Sequence, residues 1–203
     1  MSNVHVSKLS GKLKEFVAIN SNTLSNPFCI KMHKANKKNV ICTKCYSYNM
    51  LETFRQNTIP ALERNSKLLS TTILTEDELP TIKKPVCRIS AHGEIVNYIY
   101  LKNIINIINH NPNCVFGFWS KQKGLIKRYF DNHPKPSNVI MVYSNPIIDK
   151  VLNTPPIYFD RVFNNVSRDQ YTEEQNCTGQ KCKDCMICYT LDHPTTTIIE
   201  AVK

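Results

Sequence analysis

Glycine, acidic charge and long apolar runs are all scarce in this chain. Only 5 of its 203 residues are glycine, and none forms a phosphate-cradling loop; a G-x-S-x-G nucleophile elbow and paired carboxylates at catalytic spacing are missing too. These absences remove P-loop chemistry, serine hydrolysis of the α/β-hydrolase kind and two-carboxylate acid–base work. The longest apolar stretch, IYLKNIINIIN, is broken by Lys102, Asn103 and Asn106, so no segment reads as a membrane span and no membrane partner is expected. The opening MSNVHVSKLSGKLKEF has no apolar h-region and no small-residue cleavage site. That predicts a protein that is not secreted and stays in a reducing compartment.

Basic charge and cysteine are what the chain has in quantity. Twenty-six Lys and Arg face 16 Asp and Glu, a formal net charge of +10, and such a surface attracts phosphate without reading sequence. The basic residues are scattered, with mild concentrations around 31–38 and 121–128. No helix-turn-helix, finger or RNA-binding signature accompanies them, so the expectation is weak nucleic-acid contact at most.

Seven of the 9 cysteines fall into two groups. Cys177, Cys182, Cys185 and Cys188 form C-x4-C-x2-C-x2-C, and Cys29, Cys42 and Cys45 form C-x12-C-x2-C. A reducing compartment argues against disulfides. Structural zinc prefers two C-x2-C pairs separated by a loop, and it stays open as the alternative metal. Two successive x2 gaps instead resemble the bacterial ferredoxin run, in which closely spaced thiolates wrap one face of a four-iron cluster. The reading is therefore a [4Fe-4S] cluster, one or two in number, with Cys177 closing the C-terminal site. The upstream group leaves one metal corner open for a small molecule or for a ligand from elsewhere in the fold. His33 is a candidate there, although its setting in KMHKANKK favours a solvated histidine. A single cluster drawing on both groups stays open at this point. Cys87 and Cys114 lie inside expected strands and read as small buried apolar residues.

Length fits one domain over 1–203, with cysteine-rich segments at 29–45 and 177–188. The hydrophobic pattern alternates. Strands are expected over 15–19, 86–91, 114–119, 138–143 and 157–163, and helices from 46 to about 70 (divided or kinked at Pro60), over 98–109 and over 121–132. A short helical connection is expected between the last two strands. Cys45 then sits at or just before a helix N-terminus, where the macrodipole favours a thiolate. Alternation at this spacing predicts an α/β fold with a parallel sheet, either doubly wound or forming a partial or distorted (β/α) barrel. In both, chemistry collects where the strands end. There the chain reads RISAHGE, FGFWSK and MVYSNP. His92 and Glu94 flank Gly93 and are suited to hydrogen-bonding the amino or hydroxyl groups of a cofactor, while Trp119, Ser120, Lys121, Ser144 and Asn145 also read as turn and cap residues.

The order strand, cysteine loop, helix, then a strand ending in His92-Gly93-Glu94 resembles the first half of radical S-adenosylmethionine enzymes. In that family a three-cysteine loop holds a cluster and a Gly-Gly-Glu-like turn binds the cofactor's amino group. This chain departs from it in the twelve-residue first gap and in His92 at the first position of the turn. The combination of CTKCYSYN, RISAHGE, FGFWSK, MVYSNP and CTGQKCKDCMICY, spread over almost the whole chain, resembles the gene product 88 family of bacteriophages and its giant-virus counterparts. That resemblance implies a virus-encoded iron–sulfur protein of the infected host's cytoplasm or the virion, with Cys29, Cys42, Cys45, Cys177, Cys182, Cys185 and Cys188 as the matching cysteines. Its expected role is redox or electron transfer with an unidentified redox partner. The alternatives are a radical S-adenosylmethionine-like enzyme and a zinc-stabilised nucleic-acid-binding protein.

Overall fold

The computed structural model describes residues 2–202. Seven strands form one sheet: β1 (Ser7–Lys8), β2 (Val17–Ile19), β3 (Val86–Ile89), β4 (Val115–Ser120), β5 (Val139–Ser144), β6 (Arg161–Val166) and β7 (Thr197–Ala201). They lie side by side in chain order, β1 antiparallel to β2 and all later neighbours parallel. The sheet is open, with β1 and β7 at its edges, so it does not close into a barrel. Nor does its order reverse at a switch point as a doubly wound sheet's does.

The helices are α1 (Pro27–Lys34), α2 (Tyr46–Glu52), α3 (Ile59–Thr71), α4 (Tyr98–His110), α5 (Lys123–Phe130) and the single turn α6 (Cys182–Cys185). On α4 the apolar residues recur at helical spacing, and Leu101, Ile104, Ile105 and Ile108 are all buried as that period requires. They pack with α3 and α5 residues against Cys87, Ile89, Phe116, Phe118, Met141 and Val162, which alternate along the strands on one face. Cys87 in β3 and Cys114, one residue before β4, are both buried in the core.

The opposite face has no such helix layer. Val86, Trp119, Ile140 and Val142 point there, and they are covered by Phe16 and Tyr189, with Cys182, Met186 and Cys188 packed alongside. Gly117 makes the close approach possible: a Cβ at that position would stand 2.7 Å from Tyr189 Cε1. Arg161, almost fully buried, holds this covering segment from beneath. Its Nε donates to Ile187 O at 2.7 Å and its Nη2 donates to Thr190 O at 2.6 Å, with longer contacts to Leu191 O (3.5 Å) and His193 O (3.4 Å).

Four expectations need correction. The stretch from 46 to about 70 is divided, as Pro60 implied, into α2 and α3, but the break falls at 53–58, before Pro60, which lies in the first turn of α3, where its missing N–H costs nothing. The last expected strand, 157–163, begins only at Arg161. No helix connects β5 to β6: Pro146, Pro155 and Pro156 withhold donors, and side chains replace the helical ladder. Asn145 Nδ2 donates to Lys150 O (2.6 Å), while Asn164 pairs with both the N–H (3.0 Å) and the C=O (3.1 Å) of Leu152. Finally, Cys29 belongs to a helix, α1, and not to a loop. The short β1 and the late β7 were not anticipated.

Replacing Arg161 with Met keeps the volume but leaves several carbonyls of residues 187–193 without their charged donor. The expected cost is about 3 kcal/mol of stability, with hydrogen exchange speeding up first in that segment. Exchange no faster there than in wild type would refute the clamp.

Candidate metal centres

Cys29, Cys42 and Cys45 come from three different elements that the fold brings to one place. Cys29 lies in the first turn of α1, whose cap is Asn26: its side-chain oxygen accepts from Phe28 N (3.0 Å) and Cys29 N (3.2 Å). The same side chain donates from Nδ2 to Glu94 O at 2.7 Å, which ties α1 to the end of β3. Cys42 follows a short bridge between Val40 and Ile147, where Ile41 N donates to Pro146 O (2.9 Å) and Ile148 N to Asn39 O (2.8 Å). This fastens the cysteine-bearing segment to the loop leaving β5. Cys45 is the residue that caps α2, as its position in the sequence predicted. His33 serves as a brace: Nδ1 lies 3.0 Å from Cys42 O and the ring stacks on Tyr48 at 3.9 Å between centroids, so one side chain joins α1, the Cys42 segment and α2.

The three thiols share their surroundings with Lys121 and Glu94. Burial pushes the Cys29 thiol far up, and Glu94 and Cys45 push it further while Lys121 opposes them. Burial also raises Cys42, with Lys121 again opposing. Lys121 shows the reciprocal effect: burial would lower its pKa, but Cys42, Glu94, Cys45 and Cys29 turn the net shift upward. Its Nζ donates to Ser144 Oγ at 2.8 Å, and its backbone N–H donates to Glu94 Oε2 at 2.7 Å. A cation thus stands at the ends of β4 and β5, facing three thiols.

Both candidate cofactor-binding residues already have protein partners. The buried Glu94 carboxylate accepts from Lys121 N and from Ile95 N (2.9 Å), and desolvation raises its pKa against the pull of Lys121. His92 Nδ1 lies 2.8 Å from Ser47 Oγ. Gly93 between them has φ +72°, and a Cβ there would lie 2.5 Å from Ser21 O, so no other residue fits the turn. Its N–H donates to Thr23 Oγ1 at 2.9 Å.

The C-terminal four form a second group on the face that lacks helices. Burial, opposed by Arg88, pushes Cys188 up to about 12, and the other three thiols of the group add to the shift. Cys177 Sγ lies 3.7 Å from Lys12 Nζ and 3.7 Å from Glu200 Oε1, and Lys12 also pairs with Glu200 at 2.6 Å. Arg88 stacks over Trp119 at 4.1 Å, and its charge is felt by Tyr189, Tyr46, Cys188 and Cys182. Its Nε is sealed from solvent with no hydrogen-bond acceptor of sound geometry, and the Tyr189 hydroxyl is in the same position. The thiols therefore sort into a trio beside Lys121 and a quartet beside Arg88 and Lys12. Among the described residues no three His, Cys, Asp or Glu side chains are arranged around one metal ion. A cleft of about 380 Å³ beside α4 and α5, lined by Asn97, Tyr98, Gln122 and Arg128 among others, touches neither group.

Sequence reading had reached Lys121 and Ser144 as strand-end residues but missed Arg88, Arg161, Lys12 and Glu200. One signal was available: in VCRI an arginine sits inside a strand between apolar neighbours, and in RVFNNV one opens a strand that continues with apolar Val162 and Phe163, where a charge needs a reason.

His92 provides a pH test of the rim. Burial first, then Arg55 and Arg88, lower its pKa from 6.5 to about 4. As pH falls the unfolded chain binds this proton near 6.5, whereas the folded chain refuses it until about 4. The stability linked to neutral His92 is complete above that window and is lost across it, about 3 kcal/mol in all. Urea midpoints at pH 7 and pH 4.5 should fall further for wild type than for His92→Gln; equal falls would sink the idea.

No curated protein and no solved structure matches the chain. The family model described as gene product 88 matches residues 7–150, a stretch that contains β1 to β5, the trio and the His92–Glu94 turn but ends before the quartet. The chain belongs to the gene product 88 family.

Proposed function

We propose that this protein is a virus-encoded iron–sulfur redox protein in which Cys177, Cys182, Cys185 and Cys188 hold one four-iron cluster and Cys29, Cys42 and Cys45 hold a second with one open iron corner. The observation that carries the reading is the sorting of seven thiols into two groups, each beside its own partly buried cation. The donor set fits the group. All seven ligands are soft thiols, none is paired in a disulfide, and each is partly shielded from solvent without being sealed in the core. The orphaned Arg88 Nε fits as well, because a thiolate-held cluster is anionic and the guanidinium beside Cys182 and Cys188 has no carboxylate of its own. Membership of a phage-named family supports a viral origin, and with it a place in the host cytoplasm or the virion.

Bound iron–sulfur clusters supply one-electron storage. The chain's own residues then have distinct work. Arg161 seats the quartet's segment on the sheet, and Arg88 and Lys12 offset negative charge there. At the trio, Lys121 offsets charge, Ser144 orients the ammonium, and His33 braces the three elements that bring the thiols together.

A second, enzymatic reading is favoured by the arrangement of the trio. Parallel strands run in chain order, the trio follows β2, and the Gly93-Glu94 turn closes β3. This is the placement that the likeness to radical S-adenosylmethionine enzymes implies, with the open corner as the cofactor's site.

Anaerobic purification tests both readings. Wild type should be brown, with iron and sulfide in equal amounts and a paramagnetic signal on reduction. Cys182→Ser/Cys185→Ser and Cys42→Ser/Cys45→Ser should each lose about half the iron and sulfide, while Cys87→Ser and Cys114→Ser should keep all of it. Stoichiometric zinc without sulfide overturns the iron–sulfur reading. S-adenosylmethionine should alter the spectrum of the reduced protein only where the trio is intact; no change and no cleavage would remove the enzymatic version.

A further inference from the structure

We infer that the lysine-lined cleft beside the quartet is the docking surface for a small acidic one-electron carrier protein. The inference rests on the proposed redox role of the quartet and names the partner that role requires. The cleft, about 110 Å³, is lined by Gly11, Lys12, Lys14, Glu15, Lys181 and Lys183. It forms where the 3-10 turn Gly11–Leu13 meets α6, the turn that begins at Cys182 and ends at Cys185. Four ammonium groups thus surround one carboxylate.

The lysines divide into two kinds. Lys12 reaches inward, its Nζ 3.7 Å from Cys177 Sγ and 2.6 Å from Glu200 Oε1. One side chain therefore lines the cleft and touches a thiol of the quartet. Lys14, Lys181 and Lys183 are exposed and take part in no ion pair among the described residues. Even Glu15 faces another lysine, Lys84, at 3.9 Å. A cluster of exposed lysines without ion pairs beside the proposed redox centre, only partly offset by Glu15, Asp184 and Glu200, is what an encounter between oppositely charged electron-transfer proteins uses: the interface is small and transient, and complementary charge acts on the rate of association. The chain's net charge of +10 works in the same direction at longer range.

Nucleic acid fits this surface less well. No aromatic side chain lines the cleft to stack a base, and along the sequence the rest of the basic charge is scattered. The transfer itself is simple. With the quartet loaded, one electron would pass from the reduced carrier to the cluster held by Cys177, Cys182, Cys185 and Cys188; no bond would form or break and no proton would be transferred.

The test compares two triple variants of the holoprotein that lose the same charge. Lys14→Gln/Lys181→Gln/Lys183→Gln removes the cleft's three exposed charges; Lys67→Gln/Lys123→Gln/Lys150→Gln removes three exposed charges elsewhere. Stopped-flow reduction by a reduced acidic flavodoxin should slow about tenfold at low salt in the first variant and by less than twofold in the second. The wild-type rate should fall with ionic strength more steeply than the cleft variant's. Equal rates in the two variants overturn the docking surface. So does an unchanged flavodoxin rate combined with weakened binding of a single-stranded DNA probe, which would assign the cleft to nucleic acid. Calorimetric binding of oxidised flavodoxin reads the surface apart from the iron. Wild type that binds while the cleft variant does not supports the surface even in protein lacking sulfide, where the redox reading alone fails; wild type that does not bind overturns it.

Discussion

A parallel sheet must be covered on both faces, and here the two covers are made from different material. Helices α3, α4 and α5 close one face with aliphatic and aromatic side chains. Neighbouring strands in chain order leave no crossover helix for the other face. That cover is the cysteine-bearing segment itself, held by the Arg161 guanidinium through backbone carbonyls and seated over Gly117 by Tyr189. Because one segment both completes the hydrophobic core and carries the quartet, loss of its seat disturbs folding and thiol geometry together. Carbonyl acceptors make the clamp insensitive to the identity of the side chains it holds. Residues 187–193 can then vary in sequence without losing it.

The trio is organised on the opposite principle. None of its cysteines is in the core, and each is placed by polar contacts between chain segments far apart in sequence. Asn26 reaches Glu94 O, the Val40–Ile147 bridge sets Cys42, and His33 joins three elements through one ring. Glu94 is the common member. Its carbonyl receives Ser21 and Asn26, and its carboxylate receives the backbone amides of Ile95 and Lys121. The buried carboxylate thereby fixes the turn from which the Lys121 ammonium projects toward the thiols and Ser144. Glu94 was read in the sequence as a ligand-binding side chain; in the fold its oxygens position Lys121. The turn keeps its place at the strand end, but the side chain that faces the thiols is the lysine at the end of the neighbouring strand, β4.

The sequence made some of this visible and hid the rest for definite reasons. Periodicity exposed α4 and the strands around Cys87 and Cys114, because residues buried on one face recur at fixed spacing. It could not expose the connection from β5 to β6, where Asn145 and Asn164 satisfy the backbone in place of a ladder. Pro60 marked a division or kink of the 46–70 helix, but the break falls earlier, at 53–58. Spacing separated the cysteines into two groups, and the structure keeps them separate. Which charges accompany each group was not legible, since Lys12 and Lys121 arrive from positions more than a hundred residues apart and through strand order alone. Arg88 and Arg161 lay in plain view as charges inside strands, and only the alternation of faces explains them.

The net positive charge takes on a different meaning in this light. Read as surface, +10 pointed toward phosphate. In the fold three of the basic residues, Lys12, Arg88 and Lys121, point toward thiols. Arg88 stands out among them: its Nε is sealed from water, its guanidinium lies over a tryptophan face, and among the described residues it has no carboxylate ion pair. A protein tolerates such a cation when an anion is to be brought to it. Neutral thiols do not provide that anion, and burial keeps Cys188 and Cys29 protonated in the absence of a metal. Thiolates bound to iron, as proposed, would provide it. The same charges that make the metal-free site unfavourable would make a loaded one favourable, so that such a fold would hold its cation and its thiols ready without neutralising either in advance.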